Sequence, residues 1–144
     1  MPSNVTGEDR LMASIAHASV VIFGPGILVG LLIWLSQKEK ASYASQQGLQ
    51  ATVYQAVGMV VIMALWFLWG IFYALTWIPL IQNPNQFEEA PPPIFWIGLA
   101  SMAIPFFAML VWALYGLWGA YKTLRGQEFR YVVIGNLLSE DGSL

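Results

Sequence analysis

The sequence predicts an all-α integral membrane protein with three transmembrane helices, and three observations carry that expectation. The chain is 58% hydrophobic and only 10% charged, where soluble domains carry about 25% charged residues. A soluble fold of 144 residues has too much surface for its volume to hide that much apolar material. The charges are also segregated. No Lys, Arg, Asp or Glu occurs from Leu11 to Gln37, from Ala41 to Phe87 or from Ala90 to Tyr121, and each window holds the roughly 20 apolar residues that a crossing needs.

The first span is expected over residues 12–35, about 36 Å of helix at 1.5 Å per residue. Pro25, within "FGPGILVG", removes a backbone hydrogen bond and predicts a kink. The preceding "MPSNVTGEDRLMASIAHA" has an acidic flank and no clear cleavage site, so the segment reads as a retained span rather than a signal peptide. Next comes "ASYASQQGLQATVYQ", polar but uncharged, which predicts an interfacial helix leading into the second span. Gln46, Gln47, Gln50 and Gln55 also suit a buried amide cluster bridging helices, where each such bond is worth ~0.6 kcal/mol.

The second span is expected over 52–81, ended by Pro79 and "QNPN", because proline disfavours helix just before it. The third runs over 94–124 from "PPPIFW", with proline tolerated in its first turn and Pro105 internal. Gly126 is placed to cap its C-terminus. Residues 125–144 form a short cytoplasmic tail whose "FRYVVIGNLL" is too short to span and is expected along the interface or packed against the bundle. Period-2 alternation of a membrane barrel is missing. Residues 1–144 thus read as one membrane domain.

Orientation follows the basic residues. Lys38 and Lys40 in the first loop, with Lys122, Arg125 and Arg130 in the tail, are five of the six. Three crossings put them on one side, so the N-terminus faces out, the C-terminus in, and the bacterial inner membrane is the expected location. Lys122, Arg125 and Arg130 are lipid-headgroup anchors, their stems along the helix and their charges at the phosphates. Trp34, Trp77, Trp96 and Trp118 fall at the boundaries as interface aromatics. Gly26 with Gly30, and Gly116 with Ala120, are small-residue pairs that let helices approach closely.

Chemistry is sparse. Cysteine is absent, which excludes disulfides and thiolate metal sites, and the net charge of −2 gives no sign of a nucleic-acid partner. Glu88 and Glu89 sit in a proline-flanked loop without a nucleophile, base or ligand set beside them, so neither catalysis nor a metal site is expected. His17 is the only histidine. An intramembrane histidine is a candidate site for haem, chlorophyll or quinone, but a helix–helix hydrogen bond is the simpler expectation. No cofactor is predicted beyond bound lipid.

The order of "LMASIAHASVVIFGPGILVGLLIWL", a short basic loop, "ASQQGLQ" and "GAYKTLRGQEFRYVVIG" resembles a bacterial family of small membrane proteins related to the Tic-twenty component of the chloroplast import translocon. Ala16-His17, Gly24-Pro25, Trp34, Gly126, Tyr131 and Gly135 match its recurring positions. Ala44 and Ser45, ahead of Gln47, and Val132 depart from it. The resemblance implies a helical membrane protein of larger assemblies and, in the plastid branch, a part in protein import. The expected function is a non-enzymatic accessory subunit packed against other integral membrane subunits, of electron transport or photosynthesis. The alternatives are a translocation or channel component and cofactor binding through His17.

Overall fold

The computed structural model describes residues 5–40 and 43–132, and no strand occurs among them. The described residues form α1 (Gly7–Ala18), α2 (Gly26–Gln37), α3 (Tyr43–Leu75), α4 (Ile78–Gln82), α5 (Pro93–Ala100) and α6 (Ala103–Leu124), with 3-10 turns between. The all-α class is as expected. Among the described residues two stretches rather than three, Tyr43–Gln82 and Pro93–Leu124, are long and apolar enough to cross a membrane. The chain divides into two units, one of Met1–Met59 with Trp112–Leu144 and one of Val60–Val111.

The span expected over 12–35 is two helices. Thr6 and Asp9 open α1 with a reciprocal capping box, each side chain satisfying a backbone N–H that the helix start leaves unpaired. Its buried face is Ala13, Ala16 and His17. After a 3-10 turn at Ser19–Val21 the chain reverses at Gly24, whose φ of 81° is a conformation that costs other L-residues dearly. Pro25 therefore does not kink a continuous span. It immediately precedes α2, and its φ of −58° already suits a helix start.

In the first unit the two short helices run antiparallel. A Cβ on Gly126 would meet Arg10, one on Gly119 His17, and one on Gly116 Val20, so α1 ascends alongside the descending end of α6. A Cβ on Gly26 would meet Gln55, one on Gly30 would meet Thr52 and Gly48, and one on Gly48 would meet the backbone at Trp34 and Gly30. The second helix thus returns along the beginning of α3. Arg10, expected across the membrane from the other basic residues, stands beside Gly126.

The interfacial helix expected before residue 52 and the span after it are one helix, α3. The third span is interrupted at Ser101–Met102. A proline clashes with the carbonyl four residues before it, so the chain restarts and Pro105 falls in the first turn of α6, where it is tolerated. At the other end Gly126 adopts φ 70° and closes α6. Its N–H donates to Thr123 O at 2.9 Å and that of Gln127 to Lys122 O at 3.1 Å, the paired closure of a glycine C-cap. Of the two placements expected for the tail, its described start packs against the bundle: Phe129 and Tyr131 are buried. The remainder of the tail expected to residue 144, including Gly135, lies outside the described residues.

Candidate functional site

The core of the first unit is polar. Its fully buried large side chains include His17, Gln47, Gln50, Gln55 and Thr123, and helical spacing explains how α3 supplies three of them. Gln47, Gln50 and Tyr54 fall at i, i+3 and i+7 on one face, and Gln55 flanks them toward α1.

Hydrogen bonds fix the chemistry around His17. The Gln47 Nε2 donates to Phe129 O at 3.1 Å, which turns Gln47 Oε1 toward His17 Nε2 at 2.9 Å. An amide oxygen only accepts, so His17 carries its proton on Nε2 and Nδ1 is left as the acceptor. Tyr131 OH, 2.9 Å from Nδ1, is then the donor. Burial holds the Tyr131 phenol well above its usual range, which keeps that proton in place. Tyr131 also stacks on Tyr54 at 3.8 Å between ring centroids and 4° between planes, and the Tyr54 hydroxyl donates to Trp112 O at 2.6 Å. Phe129 meets the His17 ring edge-on at 5.5 Å. Tyr43 OH donates to Gln127 O at 2.6 Å. The tail is thereby tied to α1, α3 and α6 by side chains rather than by a backbone ladder.

A second cluster closes the turn between α1 and α2. Gln55 Nε2 donates to Ala16 O at 2.9 Å and to Ser19 Oγ at 3.0 Å. The Ser19 hydroxyl reaches Ala16 O at 2.7 Å and Gly26 O at 3.0 Å. Among the described residues, the buried side-chain atoms without a hydrogen-bond partner are Gln50 Oε1 and Trp112 Nε1.

The expected site residues separate by location. Gln47, Gln50 and Gln55 join the core, whereas Gln46 is exposed. Gly26, Gly30, Gly116 and the buried Ala120 all lie in the first unit, and the first three sit where a Cβ would collide. Lys122 lies over the Trp118 ring at 5.1 Å, Arg125 over the Tyr121 ring at 4.5 Å, and Arg130 pairs with Glu128 at 2.7 Å. Trp77, Trp96 and Trp118 are exposed and Trp34 is half-buried. Sequence reasoning missed Ser19, Tyr43 and Tyr131 as hydrogen-bonding members. The one visible signal was a run of uncharged glutamines beside a lone histidine.

The second unit is built differently. Trp66, Trp69, Tyr73, Trp77 and Phe95 form a continuous aromatic column with neighbouring centroids 5.3–6.1 Å apart. Trp69 Nε1 donates to Gly98 O at 3.1 Å. An apolar groove of about 250 Å³ opens between Leu65, Leu68, Trp69, Phe72, Ser101, Ile104 and Pro105.

Among the described residues no three His, Cys, Asp or Glu side chains gather to hold a metal. Both nitrogens of His17 are engaged by protein groups, which leaves no lone pair free for axial ligation in this arrangement. These features define a small helical membrane protein in which His17, Gln47, Gln55, Ser19 and Tyr131 are held by hydrogen bonds within the protein. Residues 8–138 match the magnetosome magnetite crystal formation protein family, MamF/MmsF. The chain belongs to that family. The match overturns the Tic-twenty resemblance, which rested on short motifs, and it gives no support to a place in electron transport or photosynthesis. No curated protein and no solved structure matches the chain.

Proposed function

We propose that this chain is a non-enzymatic membrane component of magnetite crystal formation, acting beside other integral membrane proteins. The observation that carries the reading is the family match over nearly the whole chain. The inward-turned polar groups support a structural role over a catalytic one, since the histidine and two of the buried glutamines hydrogen-bond to other parts of the protein. The wide apolar exterior of the two long helices supports residence in a membrane with neighbours. In this reading the chain crosses twice, over Tyr43–Gln82 and Pro93–Leu124. Lys38, Lys40, Lys122, Arg125 and Arg130 hold both ends of that pair in the cytoplasm, and the loop with Glu88 and Glu89 faces the other side.

Deleting the gene in a magnetite-forming bacterium and measuring crystals by electron microscopy tests the role. The expected result is a changed size or shape distribution that the wild-type chain restores. Unchanged crystals in the deletion strain would contradict it.

A further inference from the structure

We propose that α1 and α2 form a re-entrant hairpin that enters the bilayer from the cytoplasmic face, turns near mid-depth and returns. Its partner is then the acyl chains of one leaflet, and it favours the convex side of a curved membrane. The placement rests on the two-crossing topology above.

Length is the first argument. Each helix has 12 residues, about 18 Å, against a hydrocarbon core of about 30 Å. Neither can span, and they run antiparallel. The register against α6 sets the depth. Val20 meets Gly116, nine residues before Arg125, so the turn lies about 14 Å along the helix from the basic end.

Chemistry of the surface is the second. Val21, Ile22 and Phe23 at the turn are exposed, the first by 61%, as are Leu11, Ile15, Leu28, Leu32 and Leu35 along the two helices. No Lys, Arg, Asp or Glu interrupts Leu11 to Gln37, while Glu8, Asp9 and Arg10 stand at the start of α1 and Lys38, Glu39 and Lys40 follow α2. An apolar hairpin with charges only at its two open ends suits one leaflet, with those ends among the headgroups. A protein partner covering this face would have no use for charges so arranged.

The backbone is the third. Irregular chain is tolerated at membrane depth only where its polar groups are satisfied inside the protein. Gln55, from within the long apolar helix, and Ser19 serve the carbonyls of Ala16 and Gly26, and the N–H groups of Ile22 and Gly26 bond to Ser19 O and Ile22 O. A turn lying in water would need none of this. The hairpin therefore adds two helices to one leaflet alone, and one-sided insertion of apolar surface is sensitive to curvature.

The chain has no cysteine, so single probes can be placed at will. Full-length Gly7→Cys, Ile22→Cys and Lys38→Cys variants carry a polarity-sensitive fluorophore in phosphatidylcholine–phosphatidylglycerol vesicles, with lipid quenchers placed at the headgroup or mid-chain. The expected result is blue-shifted emission at residue 22, quenched most by the mid-chain probe, and headgroup-level quenching at residues 7 and 38. Water-like emission at 22, or blue-shifted emission that neither lipid quenches because protein covers it, overturns the hairpin placement. The Lys38→Cys-labelled protein, in giant vesicles with its basic end outward, should be enriched over a lipid dye on tethers pulled from them, and equal partition overturns the curvature preference. A protein that passes both tests without affecting crystals in cells would leave the hairpin standing and remove the proposed role in mineral formation. The converse result would do the opposite.

Discussion

The first unit closes on hydrogen bonds and glycines, whereas the second closes on aromatic rings. In the first, His17, Gln47, Tyr131, Ser19 and Gln55 form two sets of contacts, and glycines at 26, 30 and 116 admit neighbouring elements, and Gly119 the Phe129 ring, closer than a Cβ would allow. In the second, Trp66, Trp69, Tyr73, Trp77 and Phe95 meet face and edge, and of its two glycines Gly98 lies against Thr76 and Tyr73 while Gly70 has open space where a Cβ would go. The contrast has a physical origin. Lipid gives apolar helices no hydrophobic reason to associate, so close approach and polar contacts must do it. Where the chain breaks inside an apolar stretch, polar groups are exposed that only other polar groups can satisfy. The polar unit is the one in which the chain reverses within an apolar stretch, between α1 and α2, whereas the second unit's break at Ser101–Met102 is met by Ser101 Oγ and Trp69 Nε1 donating to Gly98 O.

This difference can be broken by substitution. The largest effect is expected for Gly26→Val, because its Cβ would collide with the backbone carbonyl of Ser19, which cannot swing away. Overpacking costs ~1–3 kcal/mol, sometimes more, and the loss should register as a lowered unfolding temperature in detergent. Next is Gln47→Leu, which strands the His17 Nε2–H and the Phe129 carbonyl at about 1–3 kcal/mol for a buried unsatisfied group. Limited proteolysis should then cut the tail after Gly126 sooner than in the wild type. Gly126→Ala forces a left-handed conformation on a residue with a side chain, at about 1–2 kcal/mol, with Arg10 displaced as well.

Tyr131→Phe should be milder. It keeps the stack on Tyr54 and loses one hydrogen bond, on the order of 0.6 kcal/mol. The matched substitution in the second unit, Gly70→Ala, should leave the unfolding temperature unchanged within error. A comparable loss there would show that the two units are not built differently.

Helix content was legible because long uncharged windows have few other solutions. The break in the first window was not, although its residues were in view. "FGPG" reads equally well as a kink or as a reversal, and what decides is Gln55, some 30 residues further on, reaching back to Ala16 and Ser19. Likewise Gln47 and Tyr131 each look like interfacial residues alone. Their roles exist only once α6 closes at Gly126 and the tail returns, and nothing local in the sequence encodes a contact between positions 17 and 131. The glutamine run carried the right hint, since uncharged amides are what a buried network needs and what a solvated helix face can do without. The family was misjudged for a related reason: short motifs of glycine, proline and histidine recur wherever helices turn in membranes.

Sidedness of the first apolar stretch tests the account most directly. A Gly7→Cys variant and a Ser36→Cys variant, in inverted and right-side-out membrane vesicles, are exposed to a membrane-impermeant maleimide. If the stretch folds back on itself, both cysteines react from the cytoplasmic side and neither from the outside. Labelling of Gly7→Cys from the outside only, with Ser36→Cys still labelled from within, would mean that the stretch crosses the membrane as a single span and would contradict the account.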